Sequence, residues 1–257
     1  MSDFNPTPER QKQILALLAR RGRLRVTEIV EQFSISEATA RRDLESLAFQ
    51  GKAQRVHGGI IAAEQAPPEL PILEREDEQP EEKILIGRAT AELILDRETI
   101  FLGSGTTVLE VARHIRNHKN LTVITNSLPV LNVLTGIKDI TIISLGGMLR
   151  DSELSFIGHI TEQALTEVRV DKVIMGTRGI SFEHGLTNDY LQETLTDRAI
   201  LEIGREIIIV ADHSKVNRVS TVLLAPLKKV HAFVTDSKAD RKFLQSAKRL
   251  GIKVIVA

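Results

Sequence analysis

Apolar residues recur at helical spacing three times within residues 1–62. Ile14, Leu17 and Leu18 place one stripe on the segment Pro8 to Arg21, which stops at Gly22. Ile29, Val30 and Phe33 make a second stripe after Thr27, and Ala40, Leu44, Leu47 and Ala48 fall at i, i+4, i+7 and i+8 to make a third. Ser36 supplies an N-cap oxygen for the third helix. The break at Ser34-Ile35 is too short for anything except a tight turn, so the second and third stripes predict a helix-turn-helix. Beyond Gly51, the stretch Lys52 to Ile60 alternates like a hairpin with a basic tip and reads as a wing.

After Glu82 the pattern changes to short β-branched runs separated by helical stretches. The runs are Thr99 to Leu102, Leu121 to Thr125, Ile140 to Leu145, Lys172 to Met175, Ile207 to Ala211, Ala232 to Thr235 and Lys253 to Val256. Strands alternating with helices predict a largely parallel sheet covered on both faces, with ligands at the carboxyl ends of the strands. Between the two patterns, Glu64 to Glu82 holds eight acidic residues, one Arg and four of the eight prolines, a stiff and solvated composition. The expected organisation is α/β: a winged helix-turn-helix over 1–62, a linker over 63–82 and an α/β effector domain over 83–257.

Composition narrows the chemistry. Net charge is zero over 257 residues, yet residues 1–62 hold ten Lys/Arg against seven Asp/Glu, a balance of +3. A modest basic head on a neutral-to-acidic body suits a DNA-binding unit that must also release its site. The absence of Cys excludes disulfides, thiolate zinc sites and thiol nucleophiles, and one Tyr with no Trp leaves little for stacking on single strands. Double-stranded DNA is therefore the expected nucleic acid. No apolar run approaches membrane-spanning length and the start is not signal-like, so a cytoplasmic protein with no membrane partner is expected.

Candidate contacts follow from the apolar stripe of the third helix, because Thr39, Arg41 and Arg42 must project away from it. An isolated Arg pair is ordinarily a solvated face; the cap at Ser36, the preceding helix and Arg55 and His57 in the wing turn it into a DNA-reading surface. His57 reads equally as a turn residue before Gly58-Gly59. In the larger domain, Leu102 is followed by Gly103-Ser104-Gly105-Thr106-Thr107 and then by a helical pattern. Glycines admit an anion close to the backbone, hydroxyls add donors and the helix N-terminus adds free amides. The same loop also reads as a plain strand-to-helix turn, and it lacks the Lys of a P-loop and the spacing of a dinucleotide fingerprint. Other strand ends bring Asn126, Gly147 with Arg150 close behind, Gly176 and Lys215, and their convergence suggests a small-molecule pocket. Asn126 could equally form an Asx-turn. His114 and His118, four apart on an expected helix, lack a third metal ligand, so no metal or cofactor is expected.

The spacing from Arg10 through Ile14, Leu18, Ser36, Thr39, Arg41, Arg42, Asp43 and Leu44, with Arg55-Val-His-Gly-Gly59 in the wing, resembles the N-terminal signature of the DeoR family of bacterial transcription regulators. Ala40 departs from it, standing where a larger aliphatic residue is commoner. The second half resembles the same family's effector domain, whose fold is similar to ribose-5-phosphate isomerase and glucosamine-6-phosphate deaminase. The resemblance implies a repressor of carbohydrate catabolism, an operator DNA partner, a homodimer or homotetramer and a phosphorylated sugar as effector. It would place the phosphate at Gly103 to Thr107, make Lys215 and Arg150 its cationic partners and set Glu193 against sugar hydroxyls, although Thr194 follows Glu193 where Ala is usual. The rival is a sugar-phosphate isomerase or deaminase fused to a DNA-binding head. Such enzymes carry an Asp-Gly-Ala-Asp segment where this chain has Met175-Gly-Thr-Arg178, and no lysine lies between Lys172 and Lys215. No catalytic residue is therefore expected.

Overall fold

A computed structural model describes residues 7–49, 53–56, 58–62 and 71–257. The chain forms two compact units, residues 1–67 and 68–257. In the first, α1 (Thr7–Arg21), α2 (Val26–Phe33) and α3 (Glu37–Phe49) enclose Ile14, Leu18, Ile29, Ala40, Leu44 and Leu47, all essentially out of solvent. The Glu28 carboxylate accepts from the Arg25 amide 2.6 Å away and fixes the start of α2. Ser34, at φ 49°, turns the chain left-handed into α3, where the Ser36 hydroxyl accepts from the Thr39 amide at 3.2 Å. Three short strands, β1 (Arg23–Arg25), β2 (Ala53–Val56) and β3 (Gly59–Ala62), pair antiparallel in the order β1-β3-β2. The expected wing is thus the β2–β3 hairpin, and β1 is a third strand that a three-residue Arg-Leu-Arg does not announce.

One polar contact sits inside this unit. Arg10 on α1 reaches Asp43 on α3 at 2.6 Å, both side chains nearly fully buried, and Gln11 donates to the other carboxylate oxygen at 3.3 Å. Arg10 and Asp43 therefore tie helices together rather than facing outward with Arg41 and Arg42.

The second unit is built on seven parallel strands: β4 (Thr99–Leu102), β5 (Leu121–Thr125), β6 (Ile140–Ser144), β9 (Val170–Met175), β12 (Gly204–Val210), β14 (Ala232–Thr235) and β15 (Lys253–Val256), in the order β15-β14-β12-β9-β4-β5-β6. Helices α5 (Pro80–Ala91), α6 (Thr106–His114) and α7 (Leu128–Leu134) cover one face. Helices α8 (His159–Thr166), α9 (Leu191–Ile203) and α10 (Arg241–Arg249) cover the other. Along β12, Ile208 and Val210 enter the first core while Ile207 and Ile209 enter the second. Double burial is why the strand reads as an unbroken apolar run. A hairpin of β7 (Met148–Arg150) and β8 (Ser155–Ile157) and a three-stranded antiparallel sheet of β10 (Gly179–Ser181), β11 (Gly185–Asn188) and β13 (Val222–Ala225) complete the unit. Among the described residues no helix is long and apolar enough to cross a membrane.

The expected linker over 63–82 is corrected at its C-terminal end. Residues 72–75 form a short helix, α4 (Ile72–Arg75), with Ile72 buried, its amide donating to the Ser152 carbonyl at 2.7 Å, and Arg75 ion-paired to buried Glu153 at 2.5 Å. Helix α5 then starts at Pro80, where proline suits the first helical turn. The acidic, proline-rich composition hid one apolar anchor and one buried cation.

Removing Asp43 strands a buried guanidinium. We expect Asp43→Ala to lower the stability of residues 7–62 by about 3 kcal/mol, whereas Arg10→Met with Asp43→Leu recovers most of the loss. Hydrogen exchange at the α3 amides of the full chain measures both, and equal protection in Asp43→Ala and the native chain refutes the role given to the pair.

Candidate functional site

On the head, Ser36, Arg41 and Arg42 are exposed and Thr39 is half-buried, all on the first turns of α3. The Arg41 guanidinium lies against Glu37 one turn earlier, at 3.0 and 2.5 Å, with both side chains about half exposed or more. An exposed i,i+4 pair of this kind contributes roughly 0.3–0.5 kcal/mol, so a phosphate or base edge can replace Glu37 at little cost. Arg55 lies on β2 opposite Ile60, and His57 lies outside the described residues. Arg23 and Arg25, part of a basic cluster around Gly22 in the sequence but given no contact there, are exposed on either side of buried Leu24 in β1.

In the body, parallel strands bring every carboxyl end to one edge of the sheet. The chain runs outward from β4 through β5 to β6, then returns to the other side of β4 for β9, so strand order reverses between β4 and β9. Crevices open at such reversals. Gly103 lies at this reversal, its amide donating to the Ile174 carbonyl of β9 at 3.0 Å. Gly105, at φ 109°, caps α6, and the first helical bond runs from the Leu109 amide to the Gly105 carbonyl. The amides of Thr106, Thr107 and Val108 thus precede the helix's own bonding and carry the positive end of its dipole. Ser104 and Thr107 are half-buried and Thr106 is buried.

Asn126, at the end of β5, is 2% exposed. Its Nδ2 donates to the Phe156 carbonyl of β8 at 2.9 Å, while its Oδ1 has no partner among the described residues. It forms no Asx-turn, since the Leu128 amide two residues on donates instead to the Leu154 carbonyl at 2.9 Å. A buried acceptor without a donor is costly, and a ligand hydroxyl would satisfy it. Gly147 serves packing: at φ 151° its position would put a Cβ 2.1 Å from the Thr161 hydroxyl oxygen of α8.

Arg150 and Glu193, expected to meet different parts of a ligand, meet each other in an ion pair. The Ser155 hydroxyl donates to the other Glu193 oxygen at 3.3 Å, and the Arg150 guanidinium stacks over the Tyr190 ring, 4.6 Å from its centre. Gly176 ends β9, half-buried, and beside it Arg178 bonds Asp189 at 3.1 Å. Lys215 closes a turn capped by Asp212, whose Oδ1 accepts from the Ser214 amide at 2.8 Å. Burial pushes the Lys215 ammonium below its ordinary pKa, with Arg178 adding repulsion; Asp212 and Glu78 oppose the shift and Arg75 reinforces it. Lys83 on α5, which sequence reasoning left in the linker's shadow, is buried and likewise lowered, first by desolvation and then by Arg75 and Lys215 against the pull of Asp212 and Glu78. The pair His114 and His118 is not on one helix: α6 ends at His114, which meets the Glu110 carbonyl at 2.7 Å, and His118 meets Asp96 at 3.2 Å.

A capped helix presenting arginines in one unit with a winged three-stranded sheet, joined in one chain to an α/β domain with polar strand ends, defines a DNA-binding regulator with a sensor domain. Residues 10–66 match the DeoR-like helix-turn-helix domain, and residues 78–237 match the DeoR C terminal sensor domain. The chain belongs to the DeoR family of transcription regulators. It is similar to the transcriptional repressor AccR of Agrobacterium fabrum, 35% identical over 256 residues and 99% of each chain. It is also similar to the glycerol-3-phosphate regulon repressor of Escherichia coli strain K12, 38% identical over 237 residues, 92% of this chain and 94% of the other. Among solved structures it is similar to ribose 5-phosphate isomerase A from Neisseria gonorrhoeae, 17% identical with a TM-score of 0.39 over 52% of each chain.

The two lowered lysines carry a pH signature. Between their depressed values and 10.5 the unfolded chain binds more protons than the folded one, so stability rises with pH through that window. Urea unfolding of the full chain at a series of pH values between about 8 and 10 should show a positive slope that shrinks in Lys83→Met. A slope identical in the two proteins contradicts the burial argument.

Proposed function

We propose that this chain represses a carbohydrate catabolic operon by binding operator DNA as a homodimer or homotetramer in the cytoplasm, and that a phosphorylated sugar releases it. The observation that carries the effector half is the reversal between β4 and β9, where the unbonded amides opening α6 lie at the same sheet edge as the orphaned Asn126 acceptor and the desolvated Lys215. Amides and a cation suit a phosphate; a buried acceptor suits a hydroxyl. The names of the relatives, a glycerol-3-phosphate regulon repressor and a lactose phosphotransferase system repressor among them, favour the same reading.

Roles follow residue by residue. Ser36 and Thr39 hold the start of α3 and reach the DNA backbone, Arg41 and Arg42 read the major groove, and Arg55 and His57 in the wing follow phosphates. In the body, Gly103 to Thr107 and Lys215 receive the phosphate, and Gly176 leaves the crevice open beside them. Asn126 and Glu193 accept from sugar hydroxyls, Arg150 holds Glu193 in place and Gly147 keeps the backbone of that wall close-packed. The chain works as a regulator and not as an enzyme, in keeping with relatives that are repressors. Symmetric oligomers suit one small head, which alone spans too few base pairs for specificity.

Two variants of the full protein test the halves separately. Arg42→Ala should weaken binding to a duplex selected by the native protein by about tenfold, in keeping with the loss of one good base contact, and leave binding of sugar phosphates unchanged. Ser104→Asp should abolish sugar-phosphate binding and the release of DNA while leaving DNA binding intact, since a carboxylate at the loop repels the phosphate. Native-like release of DNA by Ser104→Asp moves the effector elsewhere.

A further inference from the structure

Lys83 is a buried cation to which the effector reading gives no task. Its side chain is 5% exposed, and its ammonium donates to the carbonyl of Arg75. Arg75 is in turn held by Glu153, in the turn between β7 and β8, where the Ile72 amide also bonds the Ser152 carbonyl. The adjacent Glu82 pairs with Lys238, just past the end of β14. One turn further on, α5 crosses α6 at Gly87, where a Cβ would lie 2.7 Å from the Glu110 carbonyl carbon, an approach that only glycine permits. Helix α5 is thus fixed against the strand ends at Glu82 and against the loop-bearing helix at Gly87.

The charges around Lys83 do not balance its burial. Besides desolvation, the Lys83 ammonium feels the charges of Asp212, Glu78, Arg75 and Lys215, and the Lys215 ammonium those of Arg178, Asp212, Glu78 and Arg75. Arg75 has Glu153 as its own partner and Arg178 has Asp189, each within ion-pair distance. The two lysines are left with Asp212, already accepting from the Ser214 amide, and Glu78, which is exposed. Two desolvated ammoniums sharing two occupied or solvated carboxylates lack negative charge, and an entering anion supplies it.

We propose that Lys83 acts with Lys215 as a second effector-binding cation, on the same anionic group that the α6 amides receive, so that α5 is a ligand-binding element. The inference rests on the effector reading above and deepens it. It also makes the Ile72–Lys83 segment, the first described part of the body, responsive to the ligand: an anion that draws on the Lys83 ammonium competes with the Arg75 carbonyl for it.

Inorganic phosphate is the probe, because it tests the anion seat without the sugar. Calorimetric titration of the full chain at a series of pH values between about 8 and 10, in buffers of different ionisation enthalpy, should show proton uptake on binding, because a bound anion raises the lowered pKa of the lysines. Lys83→Met should weaken phosphate binding about tenfold or more and reduce that uptake, and Lys83→Arg should restore most of the affinity without restoring the uptake. If Lys83→Met does not fold, Lys83→Arg is read alone: unchanged uptake overturns the proposal. Native affinity and native uptake in Lys83→Met, with binding abolished by Ser104→Asp, overturns the role of Lys83 and leaves the effector reading standing. Phosphate binding that survives Ser104→Asp, or no binding by the native protein, overturns both.

Discussion

Seven strands running the same way impose the constraint on which the body depends. A parallel strand cannot return to its neighbour by a hairpin, so the connections cross over, most of them through a helix, and both faces of the central strands become buried. The central strands are then apolar where both faces are covered, as in Ile207 to Val210, and the polar groups that would meet a ligand fall at the strand ends. Because β9 returns to the far side of β4, two loops diverge at that edge, and the groups of the proposed site come from β4, β5, β9 and β12 without any being close in sequence. The chemistry is concentrated where the hydrogen-bonded ladder stops.

The head solves a different problem, closing a core with three helices and a three-stranded sheet of three- and four-residue strands. Its apolar interior is small, and the buried Arg10–Asp43 pair sits between α1 and α3. Such a pair contributes little net energy but penalises any packing that separates its members. That suits a unit whose outer face must keep α3 at a defined angle to the wing. Ala40, the departure from the family pattern, is fully buried in this core, so the smaller side chain changes how α3 packs and not what it presents.

Much of this was legible from the chain. The seven parallel strands were, because burial on both faces writes an uninterrupted apolar run such as Ile207 to Ala211. The helix-turn-helix was, because its stripes have helical period and Ser36 marks a start. The antiparallel pieces of the body were not: Gly185–Asn188 is wholly buried yet has neither an apolar run nor alternation, and its pairing with β13 is a tertiary fact. The glycine loop at the end of β4 stood out because strand ends are where polar residues interrupt apolar ones. Arg75 and Lys83 did not, since proline and glutamate around them have the composition of a linker, and Glu153 lies 78 residues from the Arg75 it neutralises. Arg150 and Glu193 each looked like a ligand contact; only folding across 43 residues makes them each other's partner.

Glu37 gives the DNA-facing helix an unexpected property. By bonding Arg41, it acts as a resident counterion on the surface proposed to meet DNA. In the proposed complex, Arg41 moving to DNA would leave the neutralising carboxylate behind near the backbone, and one fewer solution ion would be exchanged. The helix therefore approaches nucleic acid with part of its charge already spoken for, and indiscriminate attraction to any duplex is weaker than its arginines alone would make it. A geometry good enough to draw Arg41 off its own helix is what turns that restraint into selectivity.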